Sequence, residues 1–228
     1  TSCALCAGIC PTHALTMEEN VNPTNELFDT HENPKVFSKY TIKGSQLEKP
    51  RFEFSGACAG CGETPYIKLL TQLMGDKLVM ANATGCSSIY GASAPCMPYS
   101  IPWANSLFED NAEFAYGIHI SYKQKRNRIR NVMESSIDAV DSETKELFNK
   151  YLTNENDNKI TMEVASQLKD ENIPKELVEL KEYMPARTVW ALGGDGWAYD
   201  IGYNGLDHVL HSNENIKILV LDTEVYSN

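Results

Sequence analysis

Two kinds of apolar pattern alternate along the chain. Short unbroken runs at Leu78-Val79-Met80-Ala81, Val189-Trp190-Ala191-Leu192 and Ile218-Leu219-Val220-Leu221 have the length and composition of buried strands. Spaced sets read as helices. One runs through Tyr66, Leu69, Leu70, Leu73 and Met74 after a Thr64-Pro65 start, where proline suits the first turn. Another covers Tyr199 to His211, with Ile201, Leu206, Val209 and Leu210 as its apolar positions. Gly193 and Gly194 interrupt the run that starts at Val189, so the stretch from Val189 to Leu221 reads as strand, Gly-rich turn, helix and strand. That is the parallel crossover of an α/β domain.

Between Gly117 and Pro185 the apolar positions Val132, Ile137, Val140, Leu147, Phe148, Leu152, Met162, Val164, Leu168, Leu177, Val178 and Leu180 are spaced for amphipathic helices. These are expected to pack outside the sheet with solvated outer faces. The basic run Lys123 to Arg130 lies on one of them and reads as a solvated face. His119, His208 and His211 read as packing or surface residues, and Trp103 and Phe108 as core or interdomain aromatics. From Val21 to Pro50 neither period persists, which predicts an extended connector. The boundaries that follow are a small unit over 1–18, a connector over 19–53 and an α/β domain over 54–228.

The turn after Leu192 holds one acid, Asp195, between Gly194 and Gly196, which let backbone N–H groups approach a phosphate closely. Thr223, the backbone of Val225 and Asn228 follow the next strand, at the same carboxyl edge where such sheets bind ligands. Oxygen donors on two neighbouring turns can hold Mg²⁺ against a diphosphate. The same residues also fit a tight turn with a solvated aspartate.

Composition narrows the choice. A chain of 228 residues can bury one core plus a small appendage, and its formal charge of −11 disfavours nucleic acid as a partner. No apolar run is long enough to span a bilayer and no targeting signal is visible, so no membrane partner is expected. The absence of an initiator Met, and a last residue that falls within a ligand loop, lead us to expect a piece of a longer polypeptide.

Five of the seven cysteines fall into two tight clusters, which points to metal or redox ligation more than to a disulfide framework. Cys3, Cys6 and Cys10 before Pro11 have the ferredoxin spacing C-x₂-C-x₃-C-P without its first cysteine. Cys3 and Cys6 would share one 4Fe–4S cluster and Cys10 would ligate its neighbour; a zinc knuckle or free thiols are the alternatives. Cys58 and Cys61 lie in a Gly-rich turn, and Cys86 stands at the terminus of the strand that starts at Leu78. Three such cysteines suit an iron–sulfur cluster, with a thioredoxin-like pair or a zinc site as alternatives. Cys96 is the spare thiol and reads as a core residue.

Four stretches together carry a resemblance. They are Gly56-Ala-Cys-Ala-Gly-Cys-Gly-Glu-Thr-Pro-Tyr66, Ala81-Asn-Ala-Thr-Gly-Cys-Ser-Ser-Ile-Tyr-Gly91, Pro102-Trp-Ala-Asn-Ser-Leu-Phe-Glu-Asp-Asn-Ala-Glu-Phe114 and Gly193-Gly-Asp-Gly-Trp-Ala-Tyr-Asp-Ile-Gly202. The chain resembles pyruvate:ferredoxin (flavodoxin) oxidoreductases, over the end of their two-cluster ferredoxin domain and most of the domain that binds thiamine diphosphate (ThDP). The resemblance implies an α/β ThDP-binding fold, a parallel sheet flanked by helices, preceded by the ferredoxin-like remnant. It implies Cys58, Cys61 and Cys86 as ligands of a 4Fe–4S cluster near ThDP, with a fourth cysteine outside this sequence. Glu63 and the Cys86 turn would border the cofactor, and Asp195, Thr223 and the Val225 carbonyl would hold Mg²⁺. Gly194, Gly196 and Trp197, with Glu224, Val225, Tyr226, Ser227 and Asn228, would line the diphosphate and thiazolium.

The implied reaction is oxidative decarboxylation of pyruvate with coenzyme A to acetyl-CoA and CO₂, electrons leaving through the clusters to ferredoxin or flavodoxin. A homodimer in the cytoplasm, or in a hydrogenosome-like organelle, is the implied setting. No catalytic acid or pyruvate-gripping residue of the family falls within this stretch. Asn204 departs from the family's usual glycine. A relative acting on another 2-oxo acid, or an electron-relay or metal-binding module, would share parts of these motifs.

Overall fold

The computed structural model describes residues 5–16, 36–52, 55–92 and 103–225. Four strands, β1 (Leu78–Asn82), β2 (Trp103–Asn105), β3 (Thr188–Gly194) and β4 (Lys217–Leu221), form one sheet in the order β2-β1-β3-β4. Every pairing is parallel, so all four strands begin at one edge of the sheet and end at the other. The helices are α1 (Leu5–Ile9), α2 (Ile42–Ser45), α3 (Thr64–Met74), α4 (Cys86–Ala92), α5 (Asn111–Ser136), α6 (Ser142–Thr153), α7 (Asn158–Gln167), α8 (Lys175–Leu180) and α9 (Tyr203–His211).

Alternate strand residues point to opposite faces, and each face has its own cover. Val79, Ala81, Val189 and Ala191 pack against Ala112 and Ala115 of α5 and Leu206 and Val209 of α9. Leu78, Met80, Leu192 and Leu221 meet Ile67 and Leu70 of α3, Tyr90 of α4 and Phe52. The small side chains on the first face let α5 approach closely enough for Asn111 to reach the sheet. Its buried side-chain amide donates to the Ala81 carbonyl at 3.3 Å and the Leu192 carbonyl at 3.1 Å, tying the helix start to the ends of β1 and β3.

The middle helices do more than cover the sheet. Ile129 and Met133 from the far half of α5 join Phe148, Tyr151, Val164, Leu168, Leu177 and Met184 in a separate helical core. Asp141 caps α6 through the Thr144 N–H at 3.0 Å, and Asp157 caps α7 through the N–H groups of Lys159 and Ile160 at 2.9 and 3.1 Å. The basic run is paired as well as solvated: Lys123 meets Glu214 at 2.8 Å, while Arg128 pairs with Glu176 and Arg130 with Glu155. His119 contacts Glu214 at 3.0 Å, and His208 and His211 lie exposed on α9.

Three local expectations change. Strand β3 continues through Gly193 and Gly194 rather than ending before them. A Cβ on Gly193 would lie 2.5 Å from Cε3 of Trp197 and 2.9 Å from the Ala83 Cβ, so the glycine is there for packing. The following helix starts within the Gly-Asp-Gly turn, passes through a π turn at Trp197–Ile201 and continues as α9, where Asn204 is exposed. Cys86 opens helix α4 rather than closing strand β1.

Of the connector, residues 36–52 fall within the described part. They dock on α3, with Lys39 Nζ donating to the Leu73 carbonyl at 2.8 Å and Gln72 Nε2 to the Glu48 carbonyl at 3.0 Å. Cys3 and Cys96 lie outside the described residues, and so do positions 17–35 and 226–228. Among the described residues no helix is long and apolar enough to cross a membrane.

Phe148 is fully buried at the centre of the helical core. Phe148→Ala is expected to lower unfolding free energy by about 3–5 kcal/mol, read from urea denaturation. A loss under about 1 kcal/mol would mean that this core is not packed as described.

Candidate functional site

The carboxyl ends of β1, β3 and β4 converge on one cleft. Its walls include Glu63, Thr84, Cys86, Phe108, Gly194, Asp195, Gly196, Trp197, Thr223 and Val225. The centre is narrow, about 20 Å³, room for roughly one water. It abuts two wider hollows through shared residues. One of about 380 Å³ lies beside Asp195, Tyr199, Asp200, Asp222 and Glu224, and one of about 430 Å³ beside Gly62, Glu63, Tyr66 and Thr223.

Asp195 and Thr223 sit on turns after neighbouring strands, and parallel register brings them together. The Thr223 N–H donates to Asp195 Oδ2 at 3.0 Å, and the Thr223 hydroxyl lies 2.7 Å from the same oxygen. That hydroxyl is also 3.2 Å from the Val225 carbonyl oxygen. Glu224 between them adopts a left-handed φ of 58°, an uncommon conformation for a non-glycine residue that turns the chain within this loop. Partial burial pushes the Asp195 carboxyl up, but hydrogen bonding with the Thr223 hydroxyl and N–H and with Asp222 outweighs it and holds the group below the usual carboxylate range. The result is a carboxylate, a hydroxyl and a carbonyl within one small volume. These are hard oxygen donors, the set that Mg²⁺ takes.

Trp197 forms part of the wall and is fully buried. Gly193 and Gly202 leave space for its indole; a Cβ on Gly202 would also lie 2.8 Å from the Phe108 carbonyl oxygen. The indole N–H is buried with no acceptor among the protein atoms. Gly194 and Gly196 flank Asp195 as the sequence predicts, and the helix start places backbone N–H groups at the cleft.

Glu63 stands at the N-cap of α3 without capping it. Its carboxylate instead accepts a hydrogen bond from the Tyr90 hydroxyl at 2.8 Å. Tyr90, buried on α4, is a functional neighbour that the sequence pattern did not single out. The signal was its place in the Ser-Ser-Ile-Tyr-Gly stretch after Cys86. Tyr199 was likewise treated only as the first residue of a helix. Its hydroxyl donates to Asp222 at 2.9 Å, which pushes the phenol up. Behind the cleft, Asn82 donates to Asn105 at 3.0 Å and accepts from Ser87 at 2.8 Å, fixing α4 against β1 and β2.

The cysteines are distributed more loosely. Cys58 and Cys86 are exposed and Cys61 is half-buried. A hydrogen bond from the Cys61 N–H to the Cys58 carbonyl at 3.0 Å closes their turn, in which Gly60 has a φ of 75°. Among the described residues no three His, Cys, Asp or Glu side chains are gathered as a metal centre. In the first cluster, Cys6 lies on α1 and Cys10 follows it. Hydrogen bonding from the Thr12 hydroxyl and from the backbone at Ala14 and Thr12 lowers the Cys10 thiol to about 7. Tyr226, Ser227 and Asn228, expected at the diphosphate and thiazolium, lie outside the described residues.

Fold and cleft together define an α/β domain with a parallel sheet flanked by helices and a cleft at the carboxyl ends of its strands, the edge at which such sheets bind ligands. No family model matches the chain. Curated relatives do, over all of its length. It is 43% identical over 262 residues to the pyruvate:ferredoxin oxidoreductase of Moorella thermoacetica and 43% identical over 252 residues to the pyruvate-flavodoxin oxidoreductase of Klebsiella pneumoniae. It is also 42% identical over 252 residues to the mitochondrial pyruvate dehydrogenase [NADP(+)] of Euglena gracilis. The chain spans 22% of the first two proteins and 14% of the third. It is thus homologous throughout to a segment of the pyruvate:ferredoxin and pyruvate-flavodoxin oxidoreductases.

Because Gly193 leaves the space that the Trp197 indole fills, Gly193→Ala is expected to cost about 1–3 kcal/mol of stability and to change the near-ultraviolet circular dichroism of the tryptophans. An unaltered spectrum with unaltered stability would show that the indole is not held there.

Proposed function

We propose that the chain is the cofactor-holding segment of a pyruvate:ferredoxin or pyruvate:flavodoxin oxidoreductase, an enzyme that converts pyruvate and coenzyme A to acetyl-CoA and CO₂. The observation that carries this reading is the meeting of Asp195, Thr223 and the Val225 carbonyl with Glu63 and Cys86 around one cleft. The names of the relatives support pyruvate as substrate and ferredoxin or flavodoxin as carrier.

In this reading Asp195, Thr223 and the Val225 carbonyl would hold Mg²⁺, and Gly194, Gly196, Trp197 and Glu224 would line the diphosphate of ThDP. The last residues, Tyr226, Ser227 and Asn228, belong to the same proposed lining. When bound, ThDP supplies the carbon nucleophile and the electron sink that decarboxylation of a 2-oxo acid requires. The chain's own part is placement. Asp195, kept ionised by Thr223, offers the charge that draws the cation in, and Glu63 is held at the cleft by Tyr90. Trp197 and Phe108 exclude water from the wall behind it.

Cys58, Cys61 and Cys86 would hold a 4Fe–4S cluster, which supplies a one-electron acceptor beside the cleft. Their thiol chemistry fits that role. Cys3, Cys6 and Cys10 would serve ferredoxin-type clusters further along the electron path. The groups that grip pyruvate and activate the cofactor are assigned to other parts of a homodimeric enzyme.

The test is made on the full-length enzyme. Cys86→Ala is expected to abolish carrier reduction and to lower the iron and acid-labile sulfide content. Asp195→Asn is expected to weaken Mg²⁺-dependent ThDP binding by at least about ten-fold, measured by calorimetry. Carrier reduction at the wild-type rate would remove the cluster assignment, and unchanged ThDP affinity would remove the metal assignment.

A further inference from the structure

A second cleft, of about 650 Å³, lies at the opposite edge of the sheet. Lys77 precedes β1, Arg187 precedes β3 and the Asn213–Asn215 stretch precedes β4; all line it, closed over by α5. Its volume falls in the range of small-molecule sites. Its charge is opposite to that of the chain as a whole. Lys77, His119, Lys123, Arg126, Arg130 and Arg187 line it, and Glu155 and Glu214 are the only acids among its described lining residues.

Those two carboxylates are already engaged. Glu214 is held by Lys123 at 2.8 Å and by His119 at 3.0 Å. Glu155 accepts from Arg130 Nε at 2.6 Å and also from its Nη2. Arg126 reaches the Glu155 main-chain carbonyl, not its carboxylate. Arg187 donates to the Tyr122 hydroxyl at 3.1 Å and pairs with no described carboxylate. Lys77 has no hydrogen-bond or ion-pair partner among the described residues. Two guanidinium N–H groups, Nε of Arg126 and Nε of Arg187, are buried without an acceptor among the protein atoms. Charged donors buried in this way are costly unless an anion completes them.

We propose that this amino-edge cleft binds a diphosphate-bearing small molecule, at a site separate from the one proposed for ThDP. Lys77, Arg126 and Arg187 are the cations left uncompensated, and a diphosphate carries enough negative charge and enough acceptor oxygens to answer all three. A single carboxylate would satisfy one of them. Guanidinium forks match phosphate oxygens in pairs, while Lys77 acts as a point charge. The amides of Asn127 and Asn156 at the same cleft add neutral polar groups for the rest of such a ligand. The proposal stands on this cleft alone and does not depend on the function assigned to the other edge.

Inorganic pyrophosphate is the probe, titrated calorimetrically into the full-length enzyme in buffer stripped of divalent cations. Saturable binding to one site is expected, weakening as salt is raised. Lys77→Gln and Arg187→Gln are each expected to reduce affinity about ten-fold or more. Lys77→Gln removes a side chain with no partner, so its melting temperature should match that of the parent chain, and it serves as the test if Arg187→Gln fails to fold. Absence of saturable binding would overturn the proposal. So would binding that survives Lys77→Gln unchanged, or binding that Asp195→Asn removes, which would locate the ion at the carboxyl edge.

Discussion

The hydrogen bonds from Thr223 to the Asp195 carboxylate join the turns that follow β3 and β4, and the carboxyl-edge cleft is shaped around them. They hold a charged carboxylate beside a hydroxyl and a main-chain carbonyl, in a region where Asp200, Asp222 and Glu224 add further negative charge. Glu63 adds another acid on the far side. An anionic ligand would be repelled from such a rim unless a cation came with it. Under the proposed function, the rim would favour a metal–phosphate pair over a free phosphate. The narrow centre and the wall formed by Trp197 would restrict water around that pair.

Helix α5 links this edge to the other. It starts with Asn111 bonded to the carbonyls at the ends of β1 and β3, and it runs back along the sheet. From Asn111 to Tyr122 a helix advances about 16 Å, close to the length of a five-residue strand. Its basic run from Lys123 onward is thereby delivered to the amino edge. One helix fixes the geometry of an acidic cleft with its first residue and builds a basic cleft with its third to sixth turns. The far half then leaves the sheet and nucleates the helical core with α6, α7 and α8.

Which parts were legible in sequence follows from the range of the interactions involved. The β3–α9–β4 crossover was visible because its apolar periods and its glycines are local. The extension of β3 through Gly193 was not, since it depends on the Trp197 indole packing against a strand position. The basic run read as a solvated face because its partners, Glu155, Glu176 and Glu214, lie far away in the chain. The carboxylate of Glu63 was recognised, but not its partner: a hydroxyl on α4 reaches it only once α3 and α4 both pack on the same sheet face.

The sequence by itself determined the strand and helix periods, the donor types at the turns and the grouping of cysteines, all properties of neighbouring residues. Only the tertiary structure decided which of these meet. It brings Asp195, Thr223, Val225, Glu63 and Cys86 to one edge because the strands are parallel, so that every strand's carboxyl end faces the same way. It leaves Cys58 and Cys86 exposed, and gathers Lys77, Arg126 and Arg187 from three distant segments at the other edge. Register and packing act between residues that sequence order keeps apart, and that is where the chemistry of both edges is set.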